Sequence, residues 1–544
     1  MDIIVDKILG KIKNIEMQQR IAFVASLLAG FLAHGYALAN NYIYHDATIL
    51  NGLGTTFGLG RWALGYVGHI NDLIFGNYHL PFLNIVISLI FIALSAMVVV
   101  DVLDVSSKFM SAFIGAIFSV YPVVTSTFAY NFSATYYFFA LLLAVLAVKI
   151  ITDVTETENN PKTLKNDKIK SRLYIKSLVQ AVLLLALSAG FYQAYLSVAV
   201  TLALAVIMIE LVVPGENREL ASTIRKGITY VVVFIVSLVV YLIVNKISFI
   251  VMKPPATGYQ GAEDMGSLSL AKIPGRFIQT YLHFFYIKWN GINKATCMWV
   301  FIIAFVVVAA ACIVIFLAKN KQPKANIILF IVALALMPLA VNLVYVMSTN
   351  DSYSVHTLMR FATVFVLITP AILIEKMYNV AEIKGDTLAT TFKLPMIVEV
   401  TLLAVITFCY IYLNNMAYIK MNLVQEEMTS YFTVLEARIC STEGYNDETP
   451  IVFSGEFNIS DNYLTDINDV YDDVVILGYE YKAGDLINKE SWKNYMKYHA
   501  GFAPNIIEAP ESLYSSEEFA DLQVYPDADS IKMIDGVIVV KLSQ

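Results

Sequence analysis

The chain has 544 residues, of which 58% are hydrophobic and only 15% charged, with a mean hydropathy of +0.64. A soluble domain holds about 45 to 50% apolar residues, so that class is excluded and an α-helical polytopic membrane protein is implied. The formal net charge of −7 hides a split: after Met421 there are 23 acidic and seven basic residues, and the part before is net positive.

A helical span needs about 20 apolar residues, and read against that length the sequence yields about eleven candidates: 21–39, 80–100, 109–129, 134–151, 177–190, 194–213, 228–251, 299–317, 327–347, 361–374 and 395–413. The fifth and sixth form one long apolar stretch broken only at Gly190-Phe191-Tyr192-Gln193. The first run ends at Ala37-Leu38-Ala39, which has the form of a signal-peptidase site, but it exceeds the roughly 7 to 15 residues of a signal core and is expected to be retained. Short loops set the orientation, because lysine and arginine resist translocation. The leader carries Lys7, Lys11, Lys13 and Arg20, and alternate loops repeat the bias at 162–176, at Arg218, Arg225 and Lys226, at Lys319, Lys321 and Lys324, and at Lys376, Lys384 and Lys393. About twenty basic residues fall on that side and about seven opposite. The N-terminus is therefore expected in the cytoplasm and, with an odd number of spans, the C-terminus outside. The expected setting is a bacterial cytoplasmic membrane. The implied partner is the lipid bilayer, and nothing points to nucleic acid.

The expected membrane domain, 1–414, has external loops at 40–79, 252–298 and 348–360. In the first, Trp62, Tyr66, Ile70, Leu73 and Ile74 recur at helical spacing, as in a helix lying in the membrane interface. The second carries Phe277, Tyr281, Phe284, Phe285 and Trp289 with Arg276 and Lys288, a composition suited to the headgroup layer. Two such helices would flank a route for lipid access. From 415 to 544 the pattern is that of a small α/β domain held outside: an amphipathic helix over 421–440, strands over 451–453, 474–477 and 537–540, a helix over 489–498, and a turn at Asp535-Gly536. None of the four cysteines forms a metal-type pair, and a Cys297 to Cys440 bridge is one option outside the membrane.

Candidate chemistry gathers in the external loops. Asp46, after Tyr44 and His45, could serve as general base on an acceptor hydroxyl or help hold a divalent metal such as magnesium or manganese; its plain alternative is a helix cap. Arg61, between Gly60 and Trp62, has a guanidinium fork suited to a phosphate oxyanion, the alternative being a headgroup anchor. His356 and Arg360 share a face if the chain is helical from Val355 onward, and could bind a phosphate or diphosphate there. Glu263 and Asp264 are a further external acidic pair, more readily explained as a solvated loop. His34, Glu210 and Lys246 lie within spans, where an ionisable group is costly unless paired or facing a cavity. His34 could face the same pocket as Asp46, and the polar break at Tyr192 and Gln193 could line it.

Several segments, taken in order, resemble the type II O-antigen glucosyltransferase family: Tyr42-Ile43-Tyr44-His45-Asp46, Gly60-Arg61-Trp62, Tyr78-His79-Leu80-Pro81-Phe82-Leu83-Asn84, Phe191-Tyr192-Gln193-Ala194-Tyr195, and the ending Tyr525-Pro526 through Leu542. The resemblance implies a GT-C type fold, a polyprenyl-phosphate sugar as donor in the outer leaflet, a growing surface glycan as acceptor, and an acidic catalytic residue at Asp46. Relatives often carry consecutive acids where this chain has Asp46 followed by Ala47, which counts against a two-carboxylate metal site there. Arg61, His356 and Arg360 would then neutralise the leaving polyprenyl phosphate. Two other classes are open. One is a flippase or transporter of a lipid-linked sugar, disfavoured because the polar candidates gather at the outer rim and no matching broken helices occur in two halves. The other is a glycan-assembly scaffold with the tail as recognition module.

Overall fold

Among the described residues of the computed structural model, eleven helices are long and apolar enough to cross a membrane. The structure describes residues 15–40, 56–75, 80–159, 167–213, 219–254, 273–285, 298–320, 322–347, 355–383, 387–457 and 491–543. They form two units, one made chiefly of the N-terminal helix and residues 53–415, the other chiefly of residues 416–544.

In the first unit, helix α1 (Met17–Ala39) is followed by α2 (Trp62–Phe75), α3 (Pro81–Val102), α4 (Lys108–Val120), α5 (Pro122–Phe128), α6 (Asn131–Asn159), α7 (Asp167–Phe191), α8 (Leu196–Val212) and α9 (Leu220–Met252). Then come α10 (Ile273–Phe285), α11 (Met298–Lys319), α12 (Lys324–Val341), α13 (Leu343–Met347) and α14 (Phe365–Ile383). The last span continues without interruption into the amphipathic segment expected as a separate helix, giving the 54-residue α15 (Thr387–Cys440).

Lipid tails are as apolar as leucine, so helices in a bilayer associate through close approach and hydrogen bonds. Helix α1 does this against α4. Its inward face repeats Ala22, Ser26, Ala29, Gly30, Ala33 and Ala37 at spacings of three or four, all buried. The hydroxyls of Ser26 and Ser119 stand 2.7 Å apart, and Gly115 lies against the Ala22 carbonyl, where any side chain would collide. Helix α3 packs on α6, α6 on α7, and α8 on α12. Elsewhere the helices present apolar side chains outward, as α9 does with Val231, Ile235 and Val239.

The spans break at identifiable places. The third, read from sequence as one run, splits at Tyr121-Pro122, because proline lacks an N–H and forces the preceding residue into extended backbone (φ −60°, ψ 132°). The marked break after Gly190 is present: α7 ends at Phe191, Tyr192 is extended, and a short 3-10 turn at Gln193–Tyr195 leads into α8. The ninth run ends at Asn342 rather than continuing to Met347.

Lys226, counted from sequence among loop cations, is only 2% exposed. Its ammonium lies 2.7 Å from the carboxylate of Glu210 and 3.1 Å from that of Glu156, and Thr223 donates to the other oxygen of Glu210 at 3.0 Å. Glu210 is thus half of a buried ion pair. Lys226→Met leaves that carboxylate without its cation, a change that costs about 3 to 5 kcal/mol in buried pairs. The unfolding midpoint of this variant in detergent is expected to fall clearly, and an unchanged midpoint would contradict the pairing.

In the second unit, β1 (Pro450–Ser454), α16 (Ser491–Tyr495), β2 (Asn505–Ile506), α17 (Glu517–Ala520), β3 (Ile531–Ile534) and β4 (Val537–Lys541) follow α15. The sheet order is β2-β1-β4-β3, with β1 parallel to both neighbours and β3 antiparallel to β4. Asp535 and Gly536 both have positive φ, 48° and 81°, the conformation that a two-residue hairpin turn between twisted strands requires. Val452, Leu513, Leu522, Ile534 and Val539 form the core. The strand expected over 474–477 lies outside the described residues. Cys440 is a free thiol among the described residues, and Cys297 lies outside them.

Candidate active site

A 3-10 turn, Thr56–Leu59, delivers the Gly60-Arg61-Trp62 loop, with the Gly60 N–H donating to the Phe57 carbonyl at 3.0 Å. Gly60 has φ 70°, and a Cβ there would stand 2.7 Å from the Tyr241 hydroxyl and 3.0 Å from Nε2 of Gln193. Those two side chains hold the loop. Gln193 Nε2 donates to the Leu59 carbonyl at 2.9 Å, and the Tyr241 hydroxyl donates to the Gly60 carbonyl at 3.0 Å. Behind it, Gly190 makes room for the Trp62 indole, which a Cβ would approach to 2.5 Å. The helix break at Tyr192-Gln193 and the arginine loop, 131 positions apart, are therefore one construction. Gly60→Ala places a side chain in left-handed backbone, at about 1 to 2 kcal/mol, before the collision is counted. It is expected to lower the melting temperature, and an unaltered melting curve would show that the loop is not clamped in this way.

Arg61 points into a tyrosine wall. Its Nη1 donates to the Tyr137 hydroxyl at 2.7 Å, and its guanidinium carbon lies 5.5 Å and 5.1 Å from the ring centroids of Tyr137 and Tyr192. The two rings are stacked with centroids 4.0 Å apart. Such placement holds the cation by cation–π attraction while keeping it within the fold.

The wall continues from Tyr192 to Tyr195 (5.4 Å) and from Tyr195 to Phe361 (6.1 Å), the residue after Arg360. Arg360 lies between two 3-10 segments, Thr357–Met359 and Phe361–Val364. The α-helix that would have put His356 and Arg360 one turn apart is thus absent, since 3-10 geometry has three residues per turn and Arg360 itself leaves helical backbone (φ −104°, ψ 25°). Arg360 is 4% exposed, its guanidinium carbon lies 5.9 Å from the Tyr345 ring centroid, and its Nε and Nη2 have no hydrogen-bond partner among the described residues. Burial raises the pKa of the Tyr345 hydroxyl, and the nearby Arg360 charge opposes that shift.

The other expected residues divide. His34 is fully buried between helices, with Nε2 2.7 Å from the Ser119 carbonyl and its ring edge-on to Phe128 at 5.0 Å. Lys246 is exposed on α9. Tyr44, His45, Asp46, Glu263 and Asp264 lie outside the described residues. Among the described residues, no group of three or more His, Cys, Asp or Glu side chains could hold a metal ion. Reading the sequence missed Tyr137, Tyr241 and Tyr345, whose only signal is an aromatic inside an apolar run. Arg276, expected in the headgroup layer, is buried and donates to the Val346 carbonyl at 3.4 Å.

Two guanidinium groups joined by a tyrosine-lined wall form an arrangement that can receive an oxyanion. The family model described as Glucosyl transferase GtrII matches residues 35–367, which enclose Asp46, Arg61, the Tyr192-Gln193 break and Arg360. The match ends before the C-terminal unit. Neither the curated proteins nor the solved structures contain a match to the chain. With well over half of its length matched, the chain belongs to the GtrII family and is a membrane glucosyltransferase.

Proposed function

We propose that this glucosyltransferase takes glucose from a polyprenyl-phosphate donor and transfers it, on the extracytoplasmic side of a bacterial cytoplasmic membrane, to a cell-surface glycan, with a GT-C type architecture and residues 415–544 as an outer domain. The observation that carries the reading is Arg360: a buried guanidinium whose Nε and Nη2 no described residue satisfies. An unpaired buried cation is costly enough that a site holding one is matched to an anion. A prenyl phosphate brings that anion to the membrane surface.

The mechanism is a single inverting displacement. The acceptor oxygen attacks the anomeric carbon, the bond from that carbon to the phosphate oxygen breaks, and the electron pair stays on the phosphate. The acceptor proton passes to Asp46. Negative charge grows on the leaving phosphate, and Arg360 and Arg61 oppose it, so they act more strongly on the transition state than on the bound donor.

Purified protein in vesicles, given radiolabelled glucosyl polyprenyl phosphate and a surface-glycan acceptor, separates the three classes. Labelled glycan is the expected result. Movement of the lipid between leaflets without turnover would make the protein a flippase, and neither would make it a scaffold.

A further inference from the structure

His283 occupies the last turn of α10, and its imidazole stacks on Tyr345 with ring centroids 4.2 Å apart and planes inclined by 23°. The same tyrosine ring carries Arg360 at 5.9 Å. One tyrosine therefore supports both a histidine and an arginine. Nδ1 of His283 is buried and, like Nε and Nη2 of Arg360, has no hydrogen-bond partner among the described residues. Leaving buried polar atoms unmatched is costly, so their gathering around one ring calls for a common ligand.

The position of His283 is fixed. Helix α10 is pinned to the break between α12 and α13 by Asn342 Nδ2 donating to the Thr280 carbonyl at 3.4 Å, by Arg276 donating to the Val346 carbonyl, and by the Tyr281 hydroxyl donating to the Ala335 carbonyl at 2.7 Å. Among the described residues, the charged and titratable groups recorded against the imidazole are Arg360 and Tyr345. Burial and then the Arg360 charge lower the pKa of His283 from its ordinary value. That direction favours the uncharged ring, which has one N–H to offer.

We propose that His283 is a further catalytic residue of the transfer site, donating its ring N–H to the phosphate that Arg360 binds. This rests on reading Arg360 as the donor-phosphate site. In the donor the phosphate is a diester monoanion; once the anomeric bond breaks it becomes a monoester that gains a second charge. A hydrogen bond to that oxygen strengthens as the charge develops, which is the condition for accelerating the step. The proton is shared with the phosphate and stays on the imidazole; the acceptor proton goes to Asp46.

The test uses the full chain in lipid nanodiscs with His283→Ala and His283→Gln. Loss of one positioned donor at a developing oxyanion lowers kcat about 100-fold. That loss is expected for the alanine variant with little change in KM, and the glutamine variant, which keeps an N–H, is expected to recover most of it. Retention of polyprenyl phosphate, read by native mass spectrometry, should weaken in the alanine variant. Wild-type kcat in His283→Ala, or equal losses in both variants, would overturn the proposal; if the alanine variant fails to fold, glutamine alone decides, since kcat depressed as far as 100-fold would overturn it too. If the wild-type protein moves no glucose, the functional reading fails first. The histidine is then judged on polyprenyl phosphate alone, where weaker retention in the variant supports it and unchanged retention overturns it.

Discussion

Arg360→Met is expected to lower glucosyl transfer by about 100- to 1,000-fold, the range seen when a positioned donor is taken from a developing oxyanion, without lowering the melting temperature. The two expectations come from one fact. A guanidinium that is 4% exposed, with two nitrogens that no described residue satisfies, costs stability unless an anion meets it. Methionine fills a similar volume and needs no hydrogen bonds. Stability should therefore hold or rise while activity collapses, the usual sign of a side chain kept for chemistry rather than folding. Arg360→Lys keeps the charge but not the planar fork and should recover only part of the rate. Transfer assays beside thermal melts decide it. Wild-type transfer, or a loss of transfer matched by a loss of folding, would remove Arg360 from the donor site.

Asp46→Asn is the second large effect: transfer is expected to vanish while expression and binding of polyprenyl phosphate stay nearly intact. Asparagine keeps the size and hydrogen-bonding reach of the side chain but cannot accept the acceptor's proton, and general base catalysis contributes about 100- to 10,000-fold. The residue lies outside the described residues, so this expectation stands on its place in the first loop and on the family match that encloses it. Measuring both rate and lipid retention is essential, because a variant that also loses the lipid has lost its site and not its base. Wild-type turnover would exclude Asp46 from the chemistry.

Much of the fold was legible because the bilayer fixes a length and a composition that a single chain must meet. The eleven expected runs correspond to the eleven helices capable of crossing, and the break at Tyr192-Gln193 was visible as polarity inside an apolar stretch. Pro122 is an equally legible sign of a break. Pairing was not legible. Hydropathy scored Lys226 as a loop cation because nothing local shows Glu210 and Glu156 arriving from other helices. His356 and Arg360 were joined by a spacing that holds only in an α-helix, whereas the backbone there is 3-10. Strand β3, with Lys532 in the middle of four residues, and the two-residue β2 were too short to stand out.

The candidate site shows the same limit more sharply. Arg61 was legible from its chemistry and flanking glycines, yet the tyrosines that hold it come from α6 and from the α7–α8 break. His283 was hidden within an aromatic strip read only for its affinity for headgroups. What marks it is the unmatched nitrogen and the shared Tyr345 ring, which exist only once three separate segments meet.

The most direct measurement offers purified, full-length protein two donors in parallel, radiolabelled glucosyl polyprenyl phosphate and radiolabelled UDP-glucose, with one surface-glycan acceptor. Label reaching the glycan from the lipid donor alone, and lost in Arg360→Met, is the expected result. Label arriving from UDP-glucose, or from the lipid donor at an undiminished rate in Arg360→Met, would contradict it.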